Sequence, residues 1–198
     1  RAKRNIARYL DHSIVYYASW MDKYRDTPEF RNVEHVSYVD ADMQLVDTLR
    51  KGKTNCVVEL MHAIDRLKDY RNMSDSLVRL NLMYVIHIVG DMHCPSHVKY
   101  PGCKSGRADL NGKKMSYHAM WDRLLLDPFS KREKAGMAKG TPREWLYETA
   151  VACRVIYDWQ RADGTYGKQF VTDTYLLPER QLILASYRLA AVLNDLFG

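Results

Sequence analysis

The sequence predicts an all-α fold in a single domain spanning residues 1–198. Its hydrophobic content of 46% is enough to bury one sizeable core, and no internal repeat or low-complexity segment divides the chain. Apolar residues recur at the spacing of amphipathic helices, and almost no stretch alternates in the manner of a β-strand. We therefore expect a multi-helix bundle of roughly six or seven helices around one core.

Two helices and one irregular segment are expected at the start of the chain. Residues 1–10 place apolar side chains at helical spacing, with basic residues between them. A second helix, capped by Asp11 or Ser13, should run to about Tyr24. Residues 33–39 break the helical pattern and predict a short extended stretch or an irregular loop.

The middle of the chain predicts two long helices followed by a loop. One helix begins at Thr54, and a central helix begins after Ser74 and leads into the polar residues 87–97. Residues 94–115 carry several prolines and glycines and predict a long polar loop. Ser116 then starts another helix.

The last third of the chain predicts two helices. Thr141 begins a capping box with proline at the first helical position, and the helix should reach about residue 160. A glycine-containing loop is expected over residues 161–172. The final helix should cover about residues 173–197, with a kink at Pro178.

Charge and cysteine content restrict the function only broadly. A formal charge of +6 and a pI near 9.1 favour anionic partners such as nucleic acid or acidic lipid head groups, or simply a solvated basic surface. The four cysteines form no CxxC pair, which argues against a zinc ribbon; in an oxidising compartment, Cys94 and Cys103 are the expected disulfide. We expect neither stable membrane insertion nor a signal peptide within these residues.

The most unusual stretch is residues 87–97, which place three histidines and a carboxylate at the end of the most apolar run. On a helix His87 and Asp91 are neighbours on one face, close enough to hold one cation together. Pro95 cannot continue the helix, so His97 belongs to the segment that leaves it. Imidazole nitrogen and carboxylate oxygen are donors that zinc accepts.

Two other segments supply donors of the same kind. Asp22 lies near the end of its predicted helix, and His118 and Asp122 form a second pair four residues apart. Arg25, three residues after Asp22, is either an ordinary surface arginine or an anion clamp beside a metal-bound phosphate.

Each candidate also has a structural interpretation. A lone His87 on an apolar helix is commonly a core histidine that donates to a backbone carbonyl, and a lone Asp122 is commonly a solvated charge. We expect His93 to cap the helix end or to orient a ligand without binding metal itself. His12 and His62 have no partner at ligand spacing and are interpreted as structural or surface groups.

Four stretches together resemble the S1/P1 nuclease family, whose zinc-dependent all-helical enzymes are similar in fold to bacterial zinc-dependent phospholipase C. Residues 18–25 resemble the motif Ala-Ser-Trp-Ala-Asp-x-x-Arg. Residues 87–97 resemble His-x-x-Gly-Asp-x-His-x-Pro-x-His, and residues 118–122 resemble His-x-x-Trp-Asp. Residues 187–194 are similar to the closing helix of the family.

The resemblance implies a cluster of two or three Zn²⁺ ions that hydrolyses single-stranded DNA and RNA, and 3′-nucleotides, by metal-activated water. It also implies a set of functional residues. These are Asp22, His87 and Asp91 for the first zinc, with Asp91 bridging to another ion; His97, His118 and Asp122 for the second; Arg25 on the phosphate; and Asp40 as a carboxylate near the site.

One departure from the family concerns a metal ligand. The family expects a histidine at the position of Ser37, and a serine hydroxyl is a poor zinc ligand. His35 lies two residues earlier, and residues two apart point to the same side of an extended segment. We expect His35 to supply the imidazole, with Ser37 beside it as a supporting residue.

Two further departures concern the start of the chain and the loop. The family begins with a Trp and a nearby His that help to bind a third zinc; these precede Arg1 in register, so we expect two zinc ions and weak or no activity for residues 1–198. The Gly-Gly-Asn loop of the family has no clear counterpart here. Basic residues occupy the corresponding segment, and Tyr100 or Tyr117 could offer a face on which a base stacks. The basic residues are Lys99, Lys104, Arg107, Lys113 and Lys114.

Two alternatives to a nuclease stay open. One is a phospholipase C-like phosphodiesterase, because the metal site is similar. The other is a degenerate member that keeps the scaffold and only binds nucleic acid or another partner. The resemblance implies a secreted or periplasmic protein, and the sequence leaves the oligomeric state open.

Overall fold

The computed structural model describes residues 1–49, 52–103, 107–110, 112–124, 136–162, 168–174 and 176–198. Most of the regular structure in these residues is helical, which confirms the all-α prediction. The helices are α1 (Ala2–Ile6), α2 (Ile14–Ala18), α3 (Trp20–Tyr24), α4 (Cys56–Leu67), α5 (Asp75–Asp91), α6 (Tyr117–Leu124), α7 (Pro142–Ala162), α8 (Lys168–Thr174) and α9 (Leu176–Phe197). The strands are β1 (Ser37–Tyr38), β2 (Val98–Lys99), β3 (Arg107–Leu110) and β4 (Lys113–Ser116).

The predicted helix that ends near Tyr24 is two short helices, α2 and α3, separated at Ser19, whose φ of −114° and ψ of 11° interrupt the helical backbone. Ser13 caps α2, because its hydroxyl accepts from the backbone N–H of Tyr16 at 3.4 Å. Asp11, the alternative cap, instead accepts from the hydroxyl of Tyr17.

Helices α4 and α5 begin close to their predicted positions. Asn55 rather than Thr54 caps α4, because its side-chain oxygen accepts from the N–H of Val57 at 3.3 Å. The amide nitrogen of Asn55 also donates to the carbonyls of Tyr38 and Val46, which ties the preceding loop to the helix. Ser74 occupies the cap position of α5, as predicted.

Helix α5 is the centre of the core. It contacts α2, α3, α4 and α9, and every residue from 81 to 89 is buried. A helix that is apolar on nearly all faces is stable only inside a protein, and each fully buried Val, Leu or Ile contributes about 1.5–3 kcal/mol. Packing of the apolar residues of α5 therefore fixes the position of its polar C-terminal end.

A short parallel pairing joins two distant segments. β1 pairs with β2, with Ser37 opposite Val98 and Tyr38 opposite Lys99. Residues 33–39, predicted as a short extended stretch or an irregular loop, combine both, because only Ser37 and Tyr38 form a strand. The pairing brings this segment beside the residues that leave the end of α5.

The predicted loop over residues 94–115 was partly wrong. It contains an antiparallel hairpin, in which β3 pairs with β4 and Arg107 lies opposite Ser116. Gly112 has a φ of 80°, a value that glycine adopts without strain and that suits a tight hairpin turn. The start of α6 is as predicted, because the hydroxyl of Ser116 accepts from the N–H of Ala119 at 3.1 Å.

The capping box at the start of α7 is confirmed by reciprocal contacts between Thr141 and Glu144. The boundaries after α7 were wrong: residues 168–174 form α8, and α9 begins at Leu176. Pro178 is the third residue of α9. The N–H groups of the first turn of a helix have no intrahelical acceptor, so a proline here breaks no hydrogen bond and does not cause the predicted kink.

The bridge between Cys94 and Cys103 stays a prediction for an oxidising compartment, whereas neither Cys56 nor Cys153 forms a disulfide bond. Cys56 and Cys153 are instead buried among apolar side chains. Within the described ranges, no helix has both the length and the apolar character needed to cross a bilayer.

We predict that the substitution Leu82→Ala in α5 lowers the free energy of unfolding by about 2–5 kcal/mol, because Leu82 is fully buried and the change leaves a cavity. Chemical denaturation followed by circular dichroism measures the change. Leu77→Ala on the same helix is the matched control, since Leu77 is 49% exposed. Equal losses in the two variants would contradict a core centred on α5.

Candidate metal centre

Four side chains from three segments converge at one point. Asp22 comes from α3, His35 from the segment before β1, and His87 and Asp91 from the last turns of α5. One nitrogen or oxygen atom of each lies within 4.8 Å of the corresponding atoms of the others. We call this group the four-residue cluster.

His87 is oriented by a backbone carbonyl. Its Nδ1 lies 2.7 Å from the carbonyl oxygen of Ala18, so Nδ1 carries the proton and donates to that oxygen. Nε2 is then left with its lone pair, 2.9 Å from Oδ2 of Asp91. A histidine that donates one ring N–H and offers the other nitrogen has the arrangement of a metal ligand.

His35 joins the cluster, whereas Ser37 faces elsewhere. Nδ1 of His35 lies 3.6 Å from Oδ1 of Asp22. Ser37 is buried, with its hydroxyl 3.3 Å from the sulfur of Cys56. Burial raises the pKa of Cys56 to about 12, so this sulfur is a thiol at neutral pH. The imidazole of His35 therefore lies in the four-residue cluster, whereas the hydroxyl of Ser37 does not.

Several atoms of the cluster are buried without a hydrogen-bond partner among the described residues. They are both ring nitrogens of His35, Nε2 of His87 and Oδ2 of Asp91. The 2.9 Å approach between His87 and Asp91 is close, but it lacks hydrogen-bond geometry. Each unsatisfied buried polar atom costs about 1–3 kcal/mol. A cation bound among them would satisfy one ring nitrogen of His35, Nε2 of His87 and Oδ2 of Asp91, and nitrogen and oxygen donors of this kind suit a divalent metal.

Asp91 also faces a second pair of imidazoles. Its Oδ2 lies 3.7 Å from Nε2 of His97, which follows the short 3-10 turn at Pro95–His97. The ring of His97 meets the ring of His118 edge to face, with centroids 4.8 Å apart. Asp91 therefore stands between the four-residue cluster and these two histidines. The side chain of Asp122 lies outside the described part of the structure.

The local charges favour a cation. Burial lowers the pKa of His87, but the Asp91 carboxylate and the Ala18 carbonyl raise it by more, so the net shift is upward. The same negative groups that favour a protonated ring also favour a bound metal ion. The His35 imidazole lowers the pKa of Asp22, while burial lowers the pKa of His97. A carboxylate and a neutral imidazole are the forms that bind metal.

The cluster is reached from the side of Asp22. The side chain of Asp22 is 59% exposed, whereas that of His87 is 1% exposed. Arg25 is also exposed and directly follows α3, three residues after Asp22. A ligand that approaches from solvent thus meets Asp22 and the segment of Arg25 before it meets the buried histidine.

Two sequence-predicted residues have different surroundings from those expected. Oδ1 of Asp40 accepts from the N–H groups of Asp42 and Gln44, so this carboxylate closes a surface turn and lies outside the four-residue cluster. Tyr100 is buried and its hydroxyl donates to the carbonyl of Ala150, so it offers no stacking face. Lys104 and the side chains of Arg107 and Tyr117 lie outside the described residues.

His93 belongs to a different group. Its Nδ1 donates to the carbonyl of Val89 at 2.7 Å, and its Nε2 accepts from Nη1 of Arg188 at 2.8 Å. Arg188 also pairs with Glu148 and lies 5.2 Å over the ring of Trp145. The expectation that His93 orients a metal ligand therefore finds no support in its contacts.

Two groups near the site are absent from the residues that the sequence predicts. One is the Ala18 carbonyl, which orients His87. Every residue has a backbone carbonyl, so the pattern of side chains does not show which one contacts His87. The sequence signal for Arg188 was available, since it is a single arginine within the apolar stretch of α9. A buried arginine requires partners, and those partners are Glu148 and His93.

Comparison with known proteins gives a consistent result. The family model described as S1/P1 Nuclease matches residues 1–139, a range that contains the four-residue cluster and both neighbouring histidines. Similar curated proteins include Endonuclease 4 of Arabidopsis thaliana, 22% identical over 99% of this chain and 81% of its own length. Endonuclease 5 of the same plant is 24% identical, over 88% of this chain and 70% of its own length.

We predict that Arg188→Leu lowers the free energy of unfolding by about 1–3 kcal/mol, because it leaves the buried Nε2 of His93 without its donor, whereas the half-exposed carboxylate of Glu148 can be hydrated. Thermal and urea denaturation give the value. Arg180→Leu is the matched control, since Arg180 is exposed on the same helix and should change stability by less than about 0.5 kcal/mol. Similar losses in both variants would show that the contacts of Arg188 with His93 and Glu148 add little to the free energy of unfolding.

Proposed function

Because this chain belongs to the S1/P1 nuclease family, we propose that it is a zinc-dependent phosphodiesterase that hydrolyses single-stranded DNA or RNA and 3′-nucleotides. The observation that carries this proposal is the set of buried nitrogen and oxygen atoms in the four-residue cluster that lack hydrogen-bond partners among the described residues. Residues 1–198 act as one domain, in a protein that works outside the cytosol.

The chain offers ligands for two zinc ions. Asp22, His35, His87 and Asp91 would hold the first, and Asp91 would also serve the second. The remaining ligands of the second ion are His97, His118 and Asp122, and the 3.7 Å approach of His97 to Asp91 supports this division. Bound zinc acts as a Lewis acid on the phosphodiester and lowers the pKa of water, which supplies the nucleophile.

The protein contributes orientation and charge. The Ala18 carbonyl fixes the ring of His87, so that its lone pair points into the cluster before any ligand arrives. Arg25, exposed beside the accessible edge of the site, donates two N–H groups to phosphate oxygens. Its positive charge stabilises the negative charge that develops on the phosphate in the transition state.

Charge also favours a polyanionic substrate. The chain carries a formal charge of +6, and the exposed Lys113 and Lys114 of β4 lie directly before the helix that bears His118. Lysine side chains that follow a nucleic-acid backbone contribute sequence-independent, salt-sensitive affinity. This supports nucleic acid over a neutral lipid surface.

We predict that the zinc-loaded protein holds two zinc ions per chain, measured by elemental mass spectrometry after removal of free metal. The substitution His35→Ala should weaken zinc binding by at least about tenfold, because it removes an imidazole ligand. Ser37→Ala is the control and should retain both ions, because the Ser37 hydroxyl contacts Cys56. Loss of zinc from Ser37→Ala with full retention in His35→Ala would reverse the assignment.

We predict that Arg25→Ala lowers kcat for a fluorescent single-stranded oligonucleotide by about 10²–10³-fold while zinc content stays at the wild-type level. Arg31→Ala is the control, because Arg31 is an exposed arginine in the following loop. Unchanged turnover in Arg25→Ala would show that Arg25 does not bind the phosphate in the transition state. Release of phosphocholine from lipid, without cleavage of the oligonucleotide, would replace the nuclease proposal by the phospholipase alternative.

A further inference from the structure

Asn55 is fully buried where the segment that carries His35 meets the start of α4. Its side-chain oxygen accepts from the N–H of Val57. Its amide nitrogen donates to the carbonyl of Tyr38 at 3.1 Å and to that of Val46 at 2.9 Å. Only the side chains of asparagine and glutamine combine two N–H donors with an oxygen acceptor. The contacts at this position therefore require an amide.

A second set of contacts ties the same segment to the residue that precedes this cap. The N–H of Glu34 donates to the carbonyl of Thr54, and the N–H of Thr54 donates to the carbonyl of Asn32, both at 2.8 Å. These two bonds lie before His35 in sequence, and the amide contact to Tyr38 lies after it. The start of α4 therefore anchors His35 on both sides.

The position of the His35 ring depends on its backbone. Neither ring nitrogen of His35 has a hydrogen-bond partner among the described residues, whereas the Ala18 carbonyl holds the ring of His87. The two rings nevertheless meet edge to face, with centroids 5.8 Å apart. Nδ1 of His35 also lies 3.6 Å from Oδ1 of Asp22. Because no hydrogen bond orients the ring, its location follows from packing and from the anchored backbone.

Helix α4 connects this anchor to the rest of the metal centre. It packs against α5, and its apolar residues Leu60 and Leu67 are fully buried. Helix α5 carries two members of the four-residue cluster. The start of α4 is thus fixed relative to α5, and Asn55 passes this position on to the segment of His35.

We propose that Asn55 is a positioning residue for the metal centre, because its two N–H donors hold the segment that brings His35 to the four-residue cluster. This inference rests on the proposed function. Hydrogen-bond partners that fix a metal ligand contribute about 10–100-fold to metal affinity. Asn55 acts through the backbone of the ligand's segment, which leaves the ring of His35 free to bind metal.

The test is a double-mutant cycle on the zinc affinity of the protein, measured by competition with a chromophoric chelator. Asn55→Ser keeps an oxygen that caps α4 and removes both donors, so it should weaken the binding of one zinc ion about tenfold. His35→Ala should weaken the same ion, and the double variant should bind it no more weakly than His35→Ala does. A residue that only stabilises the fold would keep its effect when His35 is absent.

The absorption spectrum of the Co²⁺-loaded protein gives a second readout, because its d–d bands report the ligands of the ion. Asn55→Ser should shift these bands towards the spectrum of His35→Ala. Asn5→Ser is the matched control, since the Asn5 amide donates to the carbonyl of Phe197 at 2.8 Å and joins α1 to α9. This control should keep the wild-type zinc affinity and Co²⁺ spectrum.

The thermal midpoint of each variant shows whether it is folded. Asn55→Asp, which matches asparagine in size and removes both donors, is the second variant if Asn55→Ser does not fold. Wild-type zinc affinity in a folded Asn55 variant, with weakened binding in His35→Ala, would overturn the positioning role and leave the proposed function standing. Equal losses with and without His35, or failure of both Asn55 variants to fold, would assign Asn55 to stability and overturn the role too. A wild-type chain that binds no zinc would overturn the proposed function, and this inference with it.

Discussion

The burial of His87 within α5 is the constraint on which the rest of the site depends. Its side chain is 1% exposed, in the last turns of the apolar helix α5. A buried imidazole must satisfy two ring nitrogens, and one of them is satisfied by the carbonyl of Ala18. The second faces Asp91, another atom without a hydrogen-bond partner among the described residues. A bound cation would compensate both atoms, so the burial of His87 links the packing of the core to the candidate metal centre.

Two irregular features of the backbone position the residues of the site. The carbonyls in the last turn of a helix have no intrahelical partner, and the break at Ser19 places Ala18 at such an end. The Ala18 carbonyl is thus free to orient His87. The pairing of β1 with β2 similarly joins the segment of His35 to the residue that follows His97. The candidate ligands are far apart in sequence, and they are brought together by the hydrogen bond of His87 to Ala18 and by the backbone pairing of β1 with β2.

Local signals in the sequence predicted what local interactions determine. The all-α class, the caps at Ser13 and Thr141, and the pairing of His87 with Asp91 follow from spacing and capping chemistry. The hairpin of β3 and β4, the separation of α8 from α9, and the turn closed by Asp40 depend on tertiary contacts or on single hydrogen bonds. The choice between His35 and Ser37 is of this second kind, because spacing permits either.

The three histidines at the end of α5 show why residue type and spacing are insufficient to identify a ligand. His93 donates from Nδ1 to Val89 and accepts at Nε2 from Arg188, so neither nitrogen has a lone pair left for a metal. His87 also donates from Nδ1, but its Nε2 keeps the lone pair and points to a carboxylate. The difference arises from Arg188 on α9, almost a hundred residues away in sequence. A buried histidine therefore becomes a candidate ligand when the surrounding structure satisfies one ring nitrogen and leaves the other unsatisfied.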